Sequence, residues 1–172
     1  MFKKQTEMGI PSSKIHSLAL EILNCSLTQA QEMPKRAVNK FSEEQQVGTF
    51  ELWSTLLVLI LSVQLRSIFD VPTSNNILDL ILEDYYLDVL LELKFSEHHT
   101  AILMGRLADN IVHYGEFTKQ LFPDGEGNVS GTLVSEISVA LSDLLNYPRA
   151  HVEVPVYAVN DASRLVKILK NT

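Results

Sequence analysis

Cysteine is almost absent from the chain: 172 residues contain one, Cys25. A single thiol closes no internal disulfide, and no Cys/His spacing suggests a structural zinc site. That usage points to a reducing, cytoplasmic setting. Cys25 itself reads as an inert thiol at the end of the first helix. Basic residues are also scarce, with 14 Lys and Arg against 21 Asp and Glu, a net charge of -7. This excludes the broad basic footprint of a general DNA or RNA binder. There are seven glycines, and none sits in a phosphate-cradling loop or a Gly-x-Ser-x-Gly elbow. Neither Glu-x-x-His nor His-Glu-x-x-His occurs, so di-iron and zinc-protease chemistry lacks a basis. His98 and His99 are adjacent and would point ~100° apart on a helix, which suits no shared metal. No metal and no cofactor are expected.

Long apolar runs are missing too. The best membrane candidate, 50–63, is interrupted by Glu51, Ser54, Thr55 and Ser62 and closed by Gln64 and Arg66. A span takes ~20 mostly apolar residues, so this run reads as a buried core helix. A signal peptide would need an apolar core where polar Gln5, Thr6 and Glu7 stand.

What remains is the composition of a folded protein, 46% hydrophobic and 20% charged, in a length that suits one domain. The periodicity predicts a mainly α, multi-helix bundle around a buried central helix. The first helix covers 13–24, where Ile15, Leu18, Ala19, Ile22 and Leu23 share a face. A second covers 28–40, started or kinked by Pro34. The central helix covers 43–69. Ser42 opens it in capping-box form, with Gln45 three residues on, and the continuous apolar stretch from Leu56 to Leu61 calls for cover on nearly every side. The stretch 70–76 reads as a turn, followed by helices over 77–94, 97–121 and 132–145.

Within 97–121, Ala101, Gly105, Ala108, Val112 and Gly115 form a small-residue stripe. Glycine costs ~1 kcal/mol against alanine in a helix, so close packing is expected there. The loop 123–128 has acidic residues and glycines but not the calcium-loop pattern. The valine-rich segment 152–159 alternates in part and predicts a strand, which Pro155 confines to an edge. A short helix over 162–170 follows. The chain therefore reads as one helical domain, 1–172, with 148–172 as a strand-helix appendage. The strand needs a ladder partner, either near Val129, at the N-terminus, or in a second copy through strand exchange.

Two groups of residues carry functional expectations. Asp84, Asp88 and Glu92 fall at i, i+4 and i+8 on one helix face, where like charges repel slightly. They read either as a solvated face or as a docking strip for a basic partner. Arg106 and His113 lie seven positions apart, on the same side of a helix and ~10 Å apart along its axis, with Asp109 between them. They read either as an exposed charge ladder or as a site. Arg followed by six residues and His, late in a helical domain, resembles the motif of HEPN domains. The stretch Asp109-Asn110-Ile111-Val112-His113-Tyr114-Gly115 resembles that family's sequence around its His. The resemblance implies a metal-independent ribonuclease formed across a homodimer, with Arg106 holding the scissile phosphate and His113 moving the 2′-hydroxyl proton. Two functions thus stand side by side. One is a helical interaction or regulatory protein acting by protein–protein contact, as a homodimer or on a partner. The other is an HEPN-like ribonuclease, which alone would take RNA.

Overall fold

A computed structural model describes residues 9–37, 41–120 and 132–171. Among these, the chain forms six α-helices and one 3-10 segment: α1 (Ser12–Ala37), α2 (Glu43–Ile68), α3 (Val71–Leu93), α4 (Glu97–Gly115), the 3-10 turn Glu116–Gln120, α5 (Thr132–Leu145) and α6 (Ala150–Lys170). The bundle architecture is all-α.

The central helix is α2. Its start is fixed as the capping box requires: the Ser42 hydroxyl accepts from the Gln45 amide at 3.1 Å, and Gln45 Oε1 accepts from the Ser42 amide at 2.9 Å. All ten residues from Trp53 to Ser62 are buried. Cover comes from α1, α4, α5, α6 and, less extensively, α3. It is the one described helix long and apolar enough to cross a membrane, and most of that apolar surface is buried inside the protein.

Three boundaries differ from the sequence reading, each for a local reason. The two helices expected over 13–24 and 28–40 are one helix, α1 (Lys40 lies outside the described residues). Cys25 and Ser26 continue its buried face, and Thr28 bonds back to the Asn24 carbonyl at 2.8 Å, a satisfied helical position. Pro34 sits in the last turn, where its missing amide disturbs little that follows. The stretch 70–76 is not a turn but the start of α3. Asp70 is the N-cap, its carboxylate accepting from the Thr73 amide at 2.7 Å, and Pro72 falls in the first turn, where no amide donor is needed. The fifth predicted helix, 97–121, ends as α4 at Gly115 and continues as the 3-10 turn.

The expected C-terminal strand 152–159 is absent; those residues belong to α6. Ala150, Val154, Ala158, Ala162, Leu165 and Leu169 are buried along one helical stripe, while Val152, Val156 and Val159 face outward. The stripe repeats every three or four residues, the helical period, and it outweighs the β-propensity of the valines. Pro155 lies in the second turn, where it removes one hydrogen bond near an exposed end. With the strand goes the reason for strand exchange between copies. The loop region after Gln120, including 123–128 and Val129, lies outside the described residues. α6 packs on α1, α2 and α5.

Candidate functional site

Arg106 and His113 share the side of α4 that the spacing predicts, but they take different partners. Arg106 leans toward α2, its Nη1 3.3 Å from Glu51 Oε1. His113 sets its ring edge-on against Tyr114, 4.7 Å between centroids. Arg106 lines a groove of about 530 Å³ with Glu43, Glu44, Glu51, Gly48 and Leu144; His113 is not among the lining residues. Burial holds the Glu51 carboxyl above its ordinary pKa, and the Arg106 guanidinium opposes this only in part. A phosphate entering this groove would meet three carboxylates and an arginine already paired. The arrangement therefore suits a cationic group better than an anionic one.

The acidic trio is split by the packing of α3 on α1. Asp84 and Asp88 turn toward His16, whose Nδ1 lies 3.9 and 4.0 Å from their Oδ2 atoms. Asp88 is only 8% exposed, and its Oδ2 accepts no hydrogen bond. Its carboxyl pKa is raised mainly by burial; His16 opposes this, and the charges of Asp84 and Glu92 add to it. Glu92 alone of the three is exposed. The trio is thus neither a wholly solvated face nor a strip that a partner could touch along its full length.

Three further polar groups tie the helices together. Trp53 Nε1 donates to Asp161 Oδ2 at 2.9 Å, across the α2–α6 contact. Cys25 donates to Glu21 at 3.5 Å, and Arg164 pairs with the same carboxylate at 3.8 Å. Burial, with the Asp161 and Glu21 charges behind it, pushes the Cys25 thiol far up. That disfavours the thiolate, the nucleophilic form of cysteine. Ser54 links Ser26 at 2.9 Å and the Tyr85 hydroxyl at 2.7 Å, tying α2 to α1 and α3. These bonds satisfy groups that burial would otherwise penalise.

Sequence reasoning missed the outward side of α3. This helix carries leucines well beyond one face, yet only Ser74, Ile77, Ile81, Tyr85, Asp88 and Val89 are buried. Leu87 is 51% and Leu91 73% exposed. Where α3 meets α4, Leu82, Glu83, Tyr86, Leu87 and Met104 line a cleft of about 430 Å³. The signal was present in the sequence: Leu78, Leu80, Leu82, Leu87 and Leu91 exceed what one buried face needs. The small-residue stripe of α4 also faces out. Ala101, Gly105, Ala108 and Val112 are exposed, and a Cβ added to Gly105 would meet nothing within 4 Å.

Among the described residues, no group of three or more His, Cys, Asp or Glu is placed to hold a metal ion. Comparison with family models, with curated proteins and with solved structures finds no match.

Proposed function

We propose that this protein acts by protein–protein contact, with the outward side of α3 and the α3–α4 cleft as its docking surface. One observation carries the proposal: α3 bears more leucines than its buried side takes up, and Leu87 and Leu91, one turn apart, stay exposed. Fully burying a leucine side chain is worth roughly 1.5–3 kcal/mol. Leu87 and Leu91, exposed by half or more, leave much of that unrealised in the isolated chain. Exposed apolar clusters of this kind mark contact sites. Glu92 adds an open negative charge beside Leu91, and half-buried Asp84 adds another. Asp88 contributes its field without being reachable.

A ribonuclease built on Arg106 and His113 would need Arg106 free to hold a phosphate. Its pairing with Glu51, beside two more glutamates, favours the contact reading. In an RNA cleavage assay, wild type and His113→Ala are both expected to be inactive. Cleavage that disappears on the substitution would overturn this.

The docking surface is tested by affinity purification of the tagged full chain. Wild type is expected to retain a partner in fixed stoichiometry, and Leu87→Asp/Leu91→Asp to lose it. Val156→Asp, on the exposed side of α6, serves as a control expected to keep it. Retention by the double variant would remove the α3 surface from consideration.

A further inference from the structure

We infer that the α3–α4 cleft receives an amphipathic helix with a basic rim. This rests on the docking reading above and names the chemistry of the partner.

The cleft supplies the shape. Two packed helices leave a groove between them, and its lining is mostly apolar: Leu82, Tyr86, Leu87 and Met104, with Glu83 the one charge. The cleft lining on α3 runs from Leu82 to Leu87, and the flanking exposed Asp79 and Leu91 extend that side of the helix to twelve steps, about 18 Å at 1.5 Å each. That length matches three to four turns of a partner helix, the unit that presents anchors at i, i+3, i+4 and i+7.

Charge selects the occupant. α3 carries five acidic residues, Asp79, Glu83, Asp84, Asp88 and Glu92, and no basic one. Asp79 and Glu83 are exposed, one turn apart on the side of the helix that carries Leu82 and Tyr86. A second copy of this chain laid on the same groove would set acid against acid, within a net charge of -7 on each molecule. An anionic membrane or a nucleic acid meets the same repulsion. A helix whose apolar stripe enters the cleft while flanking Lys or Arg reach Asp79 and Glu83 satisfies both the shape and the field.

The test uses the full chain and three fluorescently labelled helical peptides of about four turns, read by anisotropy. The first has Leu at i, i+3, i+4 and i+7 with Lys at the flanks. The second replaces Lys by Glu, and the third scrambles the Leu/Lys order. The Leu/Lys peptide is expected to bind at least tenfold more tightly than either of the others. Leu87→Asp should weaken it at least tenfold, and Val156→Asp should leave it unchanged. Asp79→Lys/Glu83→Lys should reverse the preference toward the Leu/Glu peptide. Both groove variants alter exposed side chains, and circular dichroism checks that they fold.

Equal binding of the scrambled peptide, or binding indifferent to Leu87→Asp, would overturn the inference, since the attraction would then be charge alone. Preference of the wild-type chain for the Leu/Glu peptide, lost in Leu87→Asp, would overturn the basic chemistry and leave the docking surface standing. Failure of every peptide, together with a natural partner that survives Leu87→Asp/Leu91→Asp, would remove both.

Discussion

α2 and α3 are adjacent in sequence and both are rich in apolar side chains, yet the protein treats them differently. Fourteen of the 26 residues of α2 are buried, against six of the 23 in α3. α2 lies between α1 and the group α4, α5 and α6, while α3 rests mainly on α1. Apolarity states only that a helix gains from cover; the topology decides which helix receives it. A helix left with leucines in water is either a cost accepted for nothing or a surface awaiting another molecule. The concentration of those leucines beside a cleft favours the second.

The largest expected effect tests this contrast directly. Leu57 in α2 is fully buried, so Leu57→Ala should destabilise the fold by about 3 kcal/mol, the range of core Leu→Ala changes. Leu87→Ala in α3 should change stability by no more than about 0.5 kcal/mol, as an exposed position does. Urea unfolding followed by circular dichroism measures both. A loss at Leu87 approaching that at Leu57 would mean that α3 is covered in solution, by a second copy or otherwise, and the comparison would collapse.

Next comes the polar side of the α2 core. Trp53→Phe keeps most of the ring but removes the donor to Asp161. A buried acceptor left without its partner costs ~1–3 kcal/mol, so a loss of about 2 kcal/mol is expected in the same unfolding assay. A loss below half that would mean that water reaches Asp161.

Two of the helical glycines, Gly48 and Gly105, then contrast covered and open helix faces. A Cβ at Gly48 would stand 2.7 Å from Leu144 Cδ2, whereas one at Gly105 meets nothing within 4 Å. Gly105→Ala is therefore expected to stabilise the protein, by up to ~1 kcal/mol, through helix propensity alone. Gly48→Ala should gain less or lose, because the Leu144 side chain must turn away. If Gly105→Ala destabilises instead, some molecule approaches that side of α4, and the expectation of close packing drawn from the small-residue stripe regains its force.

How much of this was legible in the sequence follows from the same contrast. The α2 cap and its burial could be read from 42–61 because local hydrogen bonding and continuous apolarity act there without tertiary help. α5 was equally plain, its bounds Thr132–Leu145 set by periodicity. The start of α3 was obscured because Asp70, Pro72 and Asn75 are turn residues as well as helix-start residues, and what separates the two is the continuing helical ladder, opened by the Ser74 amide donating to the Asp70 carbonyl at 2.9 Å. α6 was obscured because Val152, Val156 and Val159 favour strands on propensity, whereas the buried Ala150–Val154–Ala158 series is decisive only once a neighbour exists to bury it. For the candidate residues, spacing placed Arg106 and His113 on one side of α4 correctly. It could not supply Glu51, 55 residues away, which occupies the arginine. Nor could it foresee that His16 would face two members of the acidic trio.

The smallest expected effect compares the buried carboxylates of the two regions. Asp161, against α2, has a hydrogen bond from Trp53; Asp88, on α3, has one oxygen with none. Both pKa values are raised, chiefly by burial, with Trp53 and Arg164 pulling Asp161 down and His16 pulling Asp88 down. A carboxyl whose folded pKa exceeds its unfolded value binds its proton more tightly in the native state. Its contribution to stability is complete below the unfolded value, ~3.9, and is lost as pH rises through the folded one. Asp161→Asn and Asp88→Asn cannot ionise, so each should flatten the fall in stability that wild type shows over that window. Each should exceed wild type by less than about 1 kcal/mol at pH 7. The amide oxygen introduced by Asp161→Asn would still accept from Trp53, so little is sacrificed there. Denaturant midpoints between pH 4 and pH 8 measure the difference. A variant less stable than wild type throughout that range would show that the charge itself is used, for Asp161 by Arg164 and for Asp88 by His16. At Asp88 that result would restore to α3 a role for its acidic residues inside the protein, at the expense of one outside it.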